Sequence, residues 1–297
     1  MSQGDGLQAD QGAGSMREFS YFGGKANDPG FDNTLPLVAA YEDARETGDI
    51  DLQFGPGVYS FNTQVPEFVS TLRLYGVSPY HTNLRREYVE ADPRRGFLAF
   101  REVGDKDNRA DPLKTIRASA ISEMSVSAGP KSSGGMLVYA ATDGPVTGWF
   151  MMRHVKMTHN HLGGSYQRAL HIDGRKNQKL GGQGFRDVHI ERVFAWAPPG
   201  FDKARALMAF LNCTNMRAEV WASGLVMIGG EDAPFGKTTN AIVTLQGCRA
   251  LVTNAVLLTT SGYAAELIHG PGATDCRHYG GAGTYSNTSG SDTNSVV

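Results

Sequence analysis

ISEMSVSAG (121–129), MMRHVKMTHN (151–160), FRDVHIERVFAW (185–196), CTNMRAEVWASG (213–224) and CRALVTNAVLLT (248–259) are five segments with one pattern. Aligned on Met124, Val155, Val188, Met216 and Leu251, each carries a second, mostly apolar residue two places on: Val126, Met157, Ile190, Ala218 and Thr253. The residues between are mostly polar. Alternation with period two describes a β-strand with one buried face.

A second series interleaves with the first: MLVYA (136–140), ALHID (169–173), ALMAFLN (206–212), AIVTLQG (241–247) and AELIHG (265–270). Each unit of roughly thirty residues thus carries at least two short strands joined by Gly-rich turns, and so small a unit buries its face only by stacking on its neighbours. The simplest architecture is all-β, a right-handed parallel β-helix: a solenoid with one rung per repeat. A β-sandwich or barrel is the competing fold. It calls for tight Asn-Gly or Asp-Gly hairpins between neighbours, whereas the turns here are long and irregular.

Composition fits one elongated domain. The chain has 297 residues and a formal charge of −2, so no global attraction to nucleic acid or an acidic membrane is expected. Its 37 glycines suit many tight turns, and its 14 Phe and 11 Tyr suit an aromatic core or a sugar-binding surface. Cys213, Cys248 and Cys276 make no disulfide framework; Cys213 and Cys248 align with Met152 and Phe185 as small buried side chains. No apolar run reaches membrane-spanning length, and MSQGDGLQADQGAGS (1–15) lacks the basic and apolar regions of a signal peptide.

In chain order, residues 1–18 read as an N-terminal arm that orders against an assembly partner. Residues 19–76 read as a cap, 77–285 as the rungs, and 286–297 as a polar tail. Within the cap, Asp32 or Asn33 starts a short helix with Pro36 in its first turn; Leu37, Val38, Tyr41 and Ala44 share a face, and Gly48 ends it. Strands follow at 50–54 and 58–61, around the turn Gly55, Pro56, Gly57. Residues 77–118 are irregular and of mixed charge, which argues for a solvated insertion or subunit contact.

Several of these residues carry a resemblance. Phe22, Gly23 and Gly24, then Asp28, Asp32 and Asn33, the helix around Tyr41, Gly55 to Tyr59, and LRLYG (72–76) together resemble the N-terminal signature of pectate-lyase-like β-helix proteins. Phage tailspikes and polysaccharide depolymerases carry that signature. The chain departs from it in having Gly55 where a Pro is usual and a short Asp28–Asp32 linker. The resemblance implies a helical cap on a β-helix and a homo-oligomer, most often a trimer. It assigns no catalytic residue.

Familiar chemical motifs are missing. Between Gly230 and Gly236 lie five residues where a phosphate loop needs four. His154, His159, His161, His171 and His189 show no metal-ligand spacing on a helix. No metal and no cofactor is therefore expected. The alignment makes a sharper statement. If Val155, Val188 and Met216 point inward, one outward column reads Lys156, His189, Arg217 and the next reads Thr158, Glu191, Glu219, Asn254. Glu191 and Glu219 then become close carboxylates on adjacent rungs, flanked by His189 and Arg217. Such a pair suits a glycosidase, and a Glu/His/Arg group suits a lyase or epimerase acting on a uronate. A surface charge lattice is the plainer account of the same residues.

Trp196 is a candidate sugar platform, with Tyr166 and His159 along the same edge and Lys156 and Arg217 as charged contacts. Trp149 and Trp221 lie in or beside ladder strands. The expectation is a spike-type receptor-binding protein of a phage or phage-like particle, released by lysis, that binds bacterial capsular or other surface polysaccharide. Other particle proteins would meet the N-terminal arm; no nucleic-acid partner and no membrane insertion is expected. Cleavage by Glu191, Glu219 and His189 and a purely structural virion decoration remain open alternatives.

Overall fold

The computed structural model describes residues 16–47, 51–69, 71–102, 119–142, 150–160, 162–174, most of 185–229 and, beyond these, the backbone of short strands up to residue 296. Most of the N-terminal arm, residues 103–118, Gly48, Trp149, His161, the Gly230–Gly236 loop, Cys248, Asn254 and Cys276 lie outside the described residues.

The fold is mostly β, with parallel sheets and one α-helix among the described residues. The first sheet runs in the order Arg17–Glu18, Asp51–Gln53, Arg73–Tyr75, Ser119–Ala128, Phe150–His159, His189–Ala195, Arg217–Ala222, Ile242–Gly247, Arg277–Tyr279, Ser295–Val296. Gly57–Phe61 and Thr82–Arg86 join it beside the second half of Ser119–Ala128. The second sheet runs from Gly96–Glu102 through Met136–Thr142, Arg168–Asp173, Ala206–Leu211, Leu225–Gly229 and Ala265–His269 to Gly283–Asn287. A third sheet joins Phe185–Arg186, Cys213–Thr214, Thr238–Thr239 and Ala273–Thr274. The pairings within these sheets are parallel, and the chain visits the sheets in turn rather than finishing one before starting the next. Inward side chains from the first and second sheets, among them Val155, Met157, Val193, Leu137, Leu170 and Phe210, are buried in one core.

Met124 pairs with Val155 as aligned from the sequence, but Val155 pairs with Val193 and not with Val188. The physical reason lies in a bend. Glu123, His154 and Arg192 adopt left-handed φ values of 54°, 48° and 51°. Each therefore adds a residue that breaks the alternation and leaves two successive side chains on the outside. The next strand lacks it, so Glu191 and Arg192 together face Glu219, between the pairs Ile190–Ala218 and Val193–Val220. Ile242–Gly247, the described part of AIVTLQG, also lies in the first sheet rather than the second, where Leu225–Gly229 stands in its place. Ala250–Val252 leaves the ladder and pairs antiparallel with Leu257–Thr259. Strands continue into the segment read as a polar tail.

The helix expected around Tyr41 forms, with Val38 half-buried at the margin of its inner face. The helix Thr34–Thr47 buries Leu37, Ala40, Tyr41 and Ala44, at helical spacing. Ahead of it the Asp32 carboxylate accepts hydrogen bonds from Thr63 Oγ1 at 2.6 Å, Thr34 Oγ1 at 2.8 Å, and the N–H groups of Asn62 at 2.9 Å and Thr34 at 3.0 Å. Burial raises the Asp32 pKa, but these donors outweigh it and hold the group below its ordinary value. Fully buried Asn33 bonds to Lys25 and Ser60, tying the helix start to the strand Gly57–Phe61. Gly57 has φ 129°, and a Cβ there would run into Ala26 and Asn27.

Arg86 is the largest fully buried side chain among the described residues. Its guanidinium donates to Ser132 Oγ at 2.5 Å and to the carbonyls of Gly134 at 2.7 Å, Ser165 at 3.0 Å and Met136 at 3.3 Å. It thereby bolts together turns that follow three successive strands of the first sheet. No described helix is long and apolar enough to cross a membrane.

Candidate functional site on the outer face of the first sheet

The bend creates a corner column. Glu123, His154 and Arg192 lie side by side in neighbouring strands, each in a conformation that costs a non-glycine residue about 1 kcal/mol or more. Their side chains form a chain of contacts. His154 Nδ1 lies 2.9 Å from Glu123 Oε1, and Arg192 Nη1 lies 3.1 Å from His154 Nε2. A guanidinium only donates, so Nε2 accepts and the imidazole proton sits on Nδ1, facing Glu123. Strained conformations of this kind concentrate at functional positions.

Next to the corner, Glu191 pairs in register with Arg153, with 3.5 Å between carboxylate and Arg153 Nε. The two side chains are 51% and 57% exposed, so this contact contributes little to stability. Glu219 occupies the adjoining position of the following strand and is half-buried. Glu191 and Glu219 thus do come to neighbouring positions, although in a column with Arg153 and not with Thr158. His189 pairs with Arg217, and both are exposed. Lys156 does not stand in their column: the residue beside His189 is Met151.

Two residues further along the strands the surface is aromatic. Lys156, Phe194 and Trp221 share one column. The Phe194 ring is parallel to Trp221 at 4.6 Å and to Trp196 at 5.9 Å. Lys156 Nζ lies 4.9 Å from the Trp196 ring centre and 5.5 Å from that of Tyr80. Tyr80 is 82% exposed, on a turn pinned to the sheet by Ser125 Oγ, which donates to the Pro79 carbonyl at 2.5 Å. Ser125 is the register partner of Lys156, so the turn sets Tyr80 over the lysine. Burial lowers the pKa of Lys156.

Tyr166 is not on this surface. It is buried, its hydroxyl donates to the Trp196 carbonyl from beneath, and burial pushes its phenol far up. It supports the platform and does not face a ligand. His159 lies half-buried at a strand end, and desolvation lowers its pKa. Cys213 is buried beside Phe185 in the third sheet, and its thiol donates to the Leu211 carbonyl. Among the described residues no group of three His, Cys, Asp or Glu could hold a metal ion.

Sequence reasoning missed Glu123, His154, Arg192, Phe194 and Tyr80. Phe194, two residues before Trp196, carried a readable signal; the corner column did not, because none of its residues is Gly or Asn. No family model, curated protein or solved structure matches the chain.

Proposed function

We propose that the chain is a right-handed parallel β-helix of the spike type, whose outer face on the first sheet binds bacterial surface polysaccharide for a phage or phage-like particle. The cyclic order in which the chain visits three parallel sheets supports the β-helix, and parallel crossovers are nearly always right-handed. The resemblance of residues 19–76 to pectate-lyase-like tailspikes supports the spike and a trimeric state. The observation that carries the ligand class is the aromatic row of Trp196, Phe194 and Trp221, flanked by Lys156 and the exposed Tyr80. Half-exposed rings with polar neighbours suit pyranose rings, which have an apolar face and a polar rim.

Polysaccharides purified from bacterial surfaces, run with the protein on gel filtration, test this. Co-elution at unchanged polymer length is expected, and Phe194→Ala with Trp221→Ala should abolish it. Undiminished binding by that double variant would overturn the assignment of the face.

A catalytic reading is favoured by one observation, the Glu123–His154 contact, which orients an imidazole beside the platform. Polymer shortening lost in Glu123→Gln would place catalysis at the corner. Shortening lost in Glu191→Gln and Glu219→Gln instead would place it on the carboxylate pair.

A further inference from the structure

The Lys156 ammonium is half-buried over two aromatic rings, whose faces attract a cation but accept none of its N–H hydrogen bonds as a carboxylate would. Among the described residues no carboxylate and no hydrogen-bond acceptor pairs with it. The acidic groups nearby are engaged elsewhere: Glu123 with His154, Glu191 with Arg153. Burial lowers its pKa. An ammonium has three donors and is strongly hydrated. Holding one half out of water, without an acceptor, is unfavourable unless something else supplies the acceptor.

We propose that the sugar seated between Tyr80 and Trp196 carries an acidic group, and that the Lys156 ammonium bonds it. Lys156 is then the specificity-determining residue of the face. This inference rests on the glycan reading above and narrows it from polysaccharides in general to acidic ones. The rings supply contact that any pyranose satisfies, and the ammonium supplies the discrimination, because a neutral hydroxyl leaves the charge uncompensated. The geometry is adapted to the task. Tyr80 and Trp196 both face the ammonium, so little side-chain freedom is lost when the anion arrives.

The test uses the intact protein and matched polymers: alginate, hyaluronan and polysialic acid, each against its own carboxyl-reduced form, followed by tryptophan fluorescence and calorimetry. For at least one pair the wild type should bind the acidic form about tenfold or more tightly than the reduced form, the scale of one charge-assisted hydrogen bond. Lys156→Met should remove that difference, binding the acidic and the reduced form equally. Lys156→Gln, which keeps a polar tip, provides the same comparison if the methionine variant folds poorly. Equal wild-type affinity for both forms of every pair overturns the acidic preference and leaves the glycan reading standing. Discrimination that survives in both variants assigns the preference to another residue and overturns this proposal. Binding of no polymer in either form overturns both readings. Poly-glutamate bound as tightly as the acidic glycans would mean charge alone is recognised, and would overturn both as well.

Discussion

Arg86 permits a stability prediction that can be worked from its contacts. The side chain is fully buried and supplies donors to one hydroxyl and three carbonyls. Methionine in its place keeps most of the stem volume and removes every donor. Two buried acceptors and two part-buried ones are then left without their partner, at about 1 kcal/mol each, the low end of the range for such groups. The gross loss is about 4 kcal/mol. Part of it is offset because a guanidinium no longer has to be desolvated, which leaves about 3 kcal/mol, at the low end of what removing one partner from a buried charged contact costs. With a urea m-value of about 3 kcal/mol/M, reasonable for a chain of this size, the unfolding midpoint should fall by about 1 M. Tryptophan fluorescence in a urea titration reads it directly. Arg86→Lys should lie between the two, because an ammonium keeps the charge but not the fork that spans separate turns. A methionine variant within about 0.3 M of the wild-type midpoint would refute the reasoning: the carbonyls would then have found other donors, and the guanidinium would contribute no more than its own burial costs.

Two further outcomes follow from the cap and its neighbour. Asp32 has a folded pKa below its ordinary 3.8, so the folded state favours its charged form. Its stabilisation is fully present above pH 3.8 and is lost as the pH falls through the lower folded value. Asp32→Asn should therefore flatten the acid limb of a stability–pH curve, and an unchanged acid limb would show that the Thr34, Asn62 and Thr63 donors do not act on its charge. At Gly76 a Cβ would run into the Glu123 carbonyl oxygen and crowd Met124 and Thr82 at 2.9 Å. Gly76→Ala should lose about 2 kcal/mol by overpacking against backbone that cannot move aside, and an unshifted thermal midpoint would contradict that close approach.

Much of the fold was legible because strands and helix announce themselves by period. Leu37, Tyr41 and Ala44 mark a helix face, and Met124–Val126 and Val155–Met157 mark inward pairs; these need only local spacing. Register was harder. The ladder slipped by matching Val155, after the bend in its strand, to Val188, before the bend in the next; the bend at Arg192 is a left-handed conformation that nothing in its chemistry advertises. One extra outward residue moves every later side chain to the other face in a period-two reading. Leu225–Gly229 was overlooked because only Ser223 and Gly224 separate it from the strand Arg217–Ala222, too short a gap to suggest a change of sheet. At the site, Trp196 and Lys156 were recognisable as types, yet their meeting depends on the slipped register. Tyr80 reaches Lys156 from the turn between Arg73–Tyr75 and Thr82–Arg86, far earlier in the chain, a contact that no local pattern encodes. Tyr166 was misplaced because a tyrosine in a Gly-rich turn looks exposed until its hydroxyl finds a buried carbonyl.

The end of the second sheet has a consequence for how long the protein can be. Beyond Gly96–Glu102 the backbone does not stop at open hydrogen-bonding groups: Phe68 donates its N–H to the Ala99 carbonyl and accepts from the Arg101 N–H, both at 2.7 Å. The Val69 N–H in turn donates to the Tyr41 hydroxyl at 2.6 Å, so the helix Thr34–Thr47 closes over that edge. A sheet of parallel strands has two unlike edges, and the free edge of one copy fits the opposite edge of the next. Such a contact repeats without closing and grows into a filament. Phe68, in extended conformation beneath Tyr41, thus covers the one edge of the second sheet at which another copy's strand would otherwise find open hydrogen-bonding groups.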